Sequence, residues 1–397
     1  MPKNTERLQE VGPVDPRTGY PLWYEDATGT RVDLAWQRGD PNTPVIADLD
    51  ESGPLRGIAD FPGESFYMIA EAELPIGAGS DEGFVRVVLA LEATFATEDV
   101  LDGEQIVFGR IRFRVRDGLP ETTYILTHPY GTVEATTDDR GRVTATEDIG
   151  LSPLDFTGAL GGQIAPFLRW TADPALPNGY IGDGNTPHTV TGSPFNTNFA
   201  LVEGPGVGSV GSDPDPSDPG NPDKVYTDLF VLQGRIATVH GAEITRAVYT
   251  QDAAGAVTVD VFARSVAGQQ LVVSADGLAE TPMQGGITSN YTARISAGNA
   301  VPGQVTVTNR TDPVSLPVTV GLVDAVEVSQ ADYDSANQTL TVTATSSDAL
   351  GAPVLTVTGR GGLSGSPGAF GLDAPPAAIT VTSSAGGADT RPVKVVG

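Results

Sequence analysis

The residues best spaced for chemistry in this sequence are oxygen donors. Asp48, Asp50 and Ser52 alternate along the chain and lead into Gly53. A calcium loop supplies its first ligands and the glycine of its sharp turn in this order. Asp60 lies close by as a further ligand. The twelfth position of such a loop falls on Ala59, where a glutamate would be needed, and no helices flank it. The EF-hand is therefore excluded, and a Ca²⁺ turn of another kind stands beside a plain acidic turn. A second grouping is aromatic. Trp170, Tyr180, Phe195 and Phe199 lie among Asn, Asp and Gly, with Asp183 and His188 between them. Rings carried on loops can stack on sugars. The competing reading is a loop pinned by its own aromatics.

Other motifs carry less. His128, His188 and His240 are the histidines, and none has a partner at HxH or HxxxH spacing. A metal or acid–base role would require His128, His188 and Asp183 to meet in space; a hydrogen-bonded structural histidine is the simpler expectation. Gly206-Val207-Gly208-Ser209-Val210-Gly211 fits GxGxxG, but SDPDPSDP follows it and forbids the helix that a dinucleotide site needs. No GxSxG, Walker A, HExxH or kinase signature occurs. With 50 Asp and Glu, carboxylates within reach of one another arise by chance and point to no reaction. The sequence predicts no enzyme, and no cofactor beyond Ca²⁺.

Composition narrows the partners. Twenty-three Lys and Arg against 50 Asp and Glu give a net charge of −27, which excludes nucleic acid and anionic membrane surfaces as partners. Lys3, Lys224 and Lys394 are the lysines, too few for isopeptide-stapled domains. There is no Cys, hence no disulfide and no thiolate metal site. No apolar run is long enough to span a bilayer, and the polar opening MPKNTERLQEVGPVDP shows no signal-peptide pattern.

The elements that must position these residues read as strands. Forty-eight Gly and 31 Pro suit short strands joined by tight turns and suit long helices poorly. Ile111, Phe113 and Val115 alternate with Arg112 and Arg114, which predicts a strand with one buried and one charged face. An internal repeat dominates the C-terminal part. AEITRAVY ending at Tyr249 matches VEVSQADY ending at Tyr333, and Val305-Thr306-Val307-Thr308 matches Ile379-Thr380-Val381-Thr382. The spacing between copies shortens from their openings to their ends, as loops of unequal length in one fold would give. The fold class is thus all-β: an N-terminal β-sandwich-like region and two tandem Ig-like or fibronectin-like sandwiches. The expected division is an extended arm over 1–45, a β domain over 46–203, a Gly/Pro/Asp linker over 204–223, and repeats over 224–323 and 324–397. The arm's Tyr20, Trp23 and Tyr24 are expected to pack on its own domain or a neighbouring subunit. Asp213, Asp215, Asp218 and Asp223 are expected to lie in a solvated spacer, with Ca²⁺ stiffening as the alternative.

His128-Pro129-Tyr130-Gly131, then PFLRW ending at Trp170, then HTVTGSPF ending at Phe195 resemble a group of uncharacterised bacterial and fungal all-β proteins. The resemblance covers residues 12–205 and implies no catalytic residues. The C-terminal repeats resemble Ig-like modules of surface proteins in architecture. Together these features predict an extracellular or cell-surface structural protein, a self-assembling filament or surface-layer subunit. The alternative is a surface adhesin or carbohydrate-binding module using the loops from Trp170 to Phe199. Self-association or a cell-surface partner is expected either way.

Overall fold

The computed structural model describes residues 3–36, 61–77, 83–97, 99–171, 176, 178–208, 214–363 and 366–397. It is all-β, with 50% of the chain in strands and 2% helical. The chain forms two units, Met1–His240 and Gly241–Gly397.

The first unit is built on a seven-stranded antiparallel sheet. Its spatial order is Arg169–Trp170, Pro187–Thr191, Leu229–Gln233, Glu64–Ile76, Gly83–Phe95, Gln105–Arg116 and Val143–Ile149. The period-two alternation puts Leu74, Val87, Leu89, Phe113 and Val115 on one face, all buried. A four-stranded sheet, Lys224–Thr227, Ala200–Glu203, Thr123–His128 and Gly131–Thr136, adds Tyr124, Leu126, Val202 and Val225 to the same core.

Two boundaries differ from expectation. Residues 204–223 do not divide domains. They close a hairpin, because Glu203 pairs with Lys224 in register and the strands on either side are neighbours. Gly208 N–H donates to Pro222 O at 2.8 Å, and Lys224 Nζ lies 3.6 Å from both Glu203 and Asp215 and 3.7 Å from Asp218. Asp215 is buried rather than solvated. A Gly/Pro/Asp composition shows that a segment cannot form a core, but it does not distinguish a linker from a long loop. The strands Lys224–Thr227, Leu229–Gln233 and Arg235–Ile236 accordingly belong to the first unit, and the first repeat starts after His240 rather than at 224.

The arm's boundary is the second difference, although its aromatics take one of the two places expected for them, on the arm's own domain. Its described part is structural in its own unit. Glu10–Val11, Trp23–Glu25 and Arg31–Asp33 form a small sheet with Arg235–Ile236. Tyr20, Trp23 and Tyr24 are buried, and the Tyr24 ring meets Tyr67 edge-on at 4.8 Å. Aromatics of this size contribute too much buried area to remain on a free arm.

The second unit holds two Ig-like sandwiches with separate cores. In the first, Gln284–Gly285, Asn290–Gly298, Val257–Arg264, Glu243–Gln251 and Val323–Asp324 face Thr281–Pro282, Leu271–Ala275, Gln304–Asn309 and Val318–Gly321 across Tyr249, Val259, Val273 and Val307. In the second, Gly368–Gly371, Thr339–Ser346, Val326–Asp334 and Lys394–Val396 face Gly361–Gly362, Leu355–Val357, Ala378–Ser383 and Ala388–Pro392 across Tyr333, Leu340, Val342 and Val381. The repeat extends to irregularities. A register shift between Ile244 and Arg246 recurs between Val328 and Gln330, at corresponding positions before Tyr249 and Tyr333. Each sandwich also ends in a short parallel strand beside that tyrosine.

Candidate functional site

The outer face of the seven-stranded sheet is charged. Arg110, Arg112, Arg114 and Arg116 share one parity on Gln105–Arg116, opposite the buried Ile111, Phe113 and Val115. Register brings Arg86 opposite Arg114, Val88 opposite Arg112, and Asp148 opposite Arg110. The neighbouring strand adds Glu64, Phe66, Ile69 and Glu71. Of these outward-facing side chains all but Arg116 and Asp148 line a depression of about 350 Å³.

A triad around the buried Glu92 anchors its floor. Glu92 is only 4% exposed. Arg110 donates to Glu92 at 2.8 Å and holds Asp148 with Nε and Nη2 at 2.9 and 2.8 Å. Burial pushes the Glu92 carboxyl up to about 7, while the Arg110 charge pulls the other way. Arg86 and Glu71 form a second pair at 2.6 Å, more exposed and therefore of little energetic weight. The alternation of arginines was legible as a charged face; the burial of Glu92 beneath it was not, because Glu92 sits in a run, 89–93, that is buried throughout.

A second constructed feature joins the two sandwiches of the C-terminal unit. Only Ala325 separates Val323–Asp324 of the first from Val326–Asp334 of the second. Ser347 Oγ donates to Tyr249 O at 2.6 Å and accepts from Ala325 N–H at 2.8 Å. Gln251 N–H donates to Ser347 O at 3.0 Å, and Ala349 N–H returns to Gln251 O at 2.8 Å. Tyr249 OH donates to the buried Asp348 at 3.0 Å. Burial first, and Asp348 beside it, push this hydroxyl up to about 12, so it remains a donor. Asp324, 1% exposed, accepts from Gly387 N–H at 2.9 Å and from Ser346 Oγ. A Cβ at Gly387 would collide with the Asp324 carbonyl, so the joint requires glycine there.

The residues picked from sequence fare differently. Asp48, Asp50, Ser52 and Asp60 lie outside the described residues. Trp170 is 7% exposed, and His188 stacks on its ring at 4.5 Å and 16°. The Trp170 ring is thus covered by the chain itself and presents little surface for stacking. Polar neighbours in sequence do not reveal that the partner in space is another ring. Tyr180 is half-buried and bridges to Arg235. Asp183 accepts from Asn185 N–H, Thr186 N–H and Thr186 Oγ1, closing its own turn. Desolvation opposes ionisation of Asp183, but these hydrogen bonds prevail and hold its carboxyl below its ordinary value. Phe199 lies 5.2 Å from Tyr226.

His128 belongs to the four-stranded sheet and His188 to the seven-stranded one. Among the described residues no three of His, Cys, Asp and Glu gather as a metal site. His128 is 1% exposed and accepts from Tyr130 N–H at 3.2 Å. Burial pulls it down to about 3. The unfolded chain therefore binds a proton near pH 6.5 that the folded chain refuses, and stability falls as pH drops below that value. Urea unfolding should show a loss of about 2–3 kcal/mol between about pH 6.5 and pH 4.5 from this group. The loss is read as the difference between the parent and His128→Gln, whose own curve lacks it. Parallel curves would show that His128 is not the group.

No protein-family model matches the chain. No curated protein matches it either. The solved structures similar to it include three of adhesin and biofilm proteins. One concerns host cell surface retention of a 1.5-MDa bacterial ice-binding adhesin, at 12% identity over 73% of this chain and 91% of that one, TM-score 0.17. Another is the BSP domain of a biofilm-associated protein, at 9% over 79% and 74%, TM-score 0.19. The third is a Ca²⁺-stabilized adhesin with which an Antarctic bacterium binds ice, at 12% over 83% and 90%, TM-score 0.18. Likeness at this level carries no function to this chain.

Proposed function

We propose that the chain is a cell-surface or extracellular structural protein whose paired Ig-like sandwiches act as a stiff spacer. The observation that supports this reading is the joint around Ser347. A one-residue connection with hydrogen bonds in both directions between Gln251 and the 347–349 segment restrains bending and twisting together. A flexible tether would instead be long and rich in Gly and Ser. The spacer reading is favoured over a filament assembled by strand pairing, because the outermost strands of this unit are short: Gln284–Gly285 and Gly361–Gly362 span two residues each, and the longest, Ala388–Pro392, spans five. Short edges discourage edge-to-edge association. Adhesion is the second reading, favoured by the charged depression on the N-terminal unit. No helix among the described residues is long and apolar enough to cross a membrane.

The absence of Cys makes a distance measurement direct. Spin labels on Ile287→Cys and Arg360→Cys, both exposed, place one probe on each sandwich. The expected result is a single narrow distance distribution in the full chain, broadened by Asp348→Ala, which removes the carboxylate that holds Tyr249. A broad distribution in the parent would defeat the spacer reading.

A further inference from the structure

The charged face of the seven-stranded sheet holds two half-buried cations, Arg112 and Arg114, that form no ion pair among the described residues. Arg110 is held by Glu92 and Asp148, and Arg86 by Glu71. Arg112 donates Nε to a neutral group, Thr146 Oγ1, at 3.3 Å. Among the described residues neither Arg112 nor Arg114 forms an ion pair. Both side chains are half-buried. Burial, and then the Arg110 charge, draw the Arg112 guanidinium below its ordinary value, so an arriving anion would relieve a real electrostatic cost.

The shape beside them is specific in character. Arg112 and Arg114 border the depression of about 350 Å³; Phe66, Val88 and Val231 give it an apolar surface, and Glu64 adds an acceptor. This volume is at the small end for ligand sites, suited to a ring or two rather than a polymer cross-section. Guanidinium groups bind carboxylates through two parallel N–H donors, which fixes orientation as well as charge. An apolar patch with an aromatic ring suits the C–H face of a pyranose, and a carboxylate acceptor suits its hydroxyls. A bare carboxylate would leave the apolar patch uncovered, and a neutral sugar would leave the arginines unpaired.

We propose that this depression is a binding site for a sugar acid, with the carboxylate on Arg112 and Arg114 and the ring against Phe66 and Val88. The site goes beyond the spacer reading and is independent of it, since it lies wholly in the N-terminal unit.

Calorimetric titration of the full chain tests it with galacturonic, glucuronic and N-acetylneuraminic acids, with galactose as the neutral ring and acetate as the free carboxylate. At least one sugar acid should bind about tenfold or more tighter than both galactose and acetate. Arg112→Gln/Arg114→Gln should weaken that binding about tenfold or more with the thermal midpoint unchanged, and Arg114→Gln alone provides the comparison if the double variant is unstable. Binding by none of the three acids, equal binding of acetate or galactose, or binding undiminished in the arginine variants would each overturn the assignment.

Discussion

Replacing Arg110 with Met should destabilise the N-terminal unit by about 3–5 kcal/mol near pH 8, the range expected when one partner of a buried ion pair is removed. Among the described residues Arg110 is the one cation that Glu92 and Asp148 share, and its side chain is 15% exposed, so water compensates for little of the loss. The loss should depend on pH with a defined sign. Glu92 has its folded-state value raised from 4.5 to about 7 even with Arg110 present. A raised carboxyl binds its proton more tightly folded than unfolded, so its contribution to stability is present at low pH and lost as pH rises through about 7. Without Arg110 the upward shift grows. The gap between parent and Arg110→Met should therefore be widest above about pH 7 and shrink toward pH 5, where Glu92 is neutral in both. Adding Glu92→Gln should recover part of the loss at high pH, giving a non-additive double-mutant cycle. A loss that is the same at pH 5 and pH 8, or a cycle that is additive, would show that Arg110 acts by packing on Phe108, 4.8 Å from its guanidinium, rather than by charge.

What could be read from the sequence was what local periodicity carries. Alternation of Ile111, Phe113 and Val115 with arginines gave the strand, its buried face and its charged face. The paired motifs around Tyr249 and Tyr333 gave two sandwiches of one design, down to the opening strand that carries the bulge. What could not be read depends on residues far apart in the chain. Residues 204–223 have a linker's composition because a long hairpin loop, like a linker, contributes little to a core, here Val207; the Glu203–Lys224 register distinguishes them. Trp170 looked available because its sequence neighbours are polar, yet its ring is covered by His188, a residue across an adjacent strand. The unpaired state of Arg112 and Arg114 is likewise invisible in one dimension, since it depends on which carboxylates Arg86 and Arg110 have already taken.

Asp26 shows how far one such long-range contact can matter, and Asp26→Ala should cost about 3–5 kcal/mol. The side chain is 1% exposed. Its Oδ1 accepts from Thr28 N–H at 2.8 Å, Thr30 N–H at 3.0 Å and Thr28 Oγ1 at 2.7 Å, an arrangement readable in sequence as an Asx-type turn. Its Oδ2 accepts from the N–H of Phe167, itself 1% exposed, at 2.8 Å. That bond ties the N-terminal segment to a loop on the far side of the sequence. Removing the carboxylate leaves the Phe167 and Thr30 N–H groups buried without an acceptor, and each such group costs about 1–3 kcal/mol. Asp26→Asn separates the two roles: its carbonyl can still close the turn, but its amide then faces Phe167 with a donor against a donor. Denaturant unfolding should rank parent above Asn and Asn above Ala, with faster amide exchange at Phe167 in both variants. Equal stability of Asn and parent would mean that the turn alone, and not the tie to Phe167, is what Asp26 contributes.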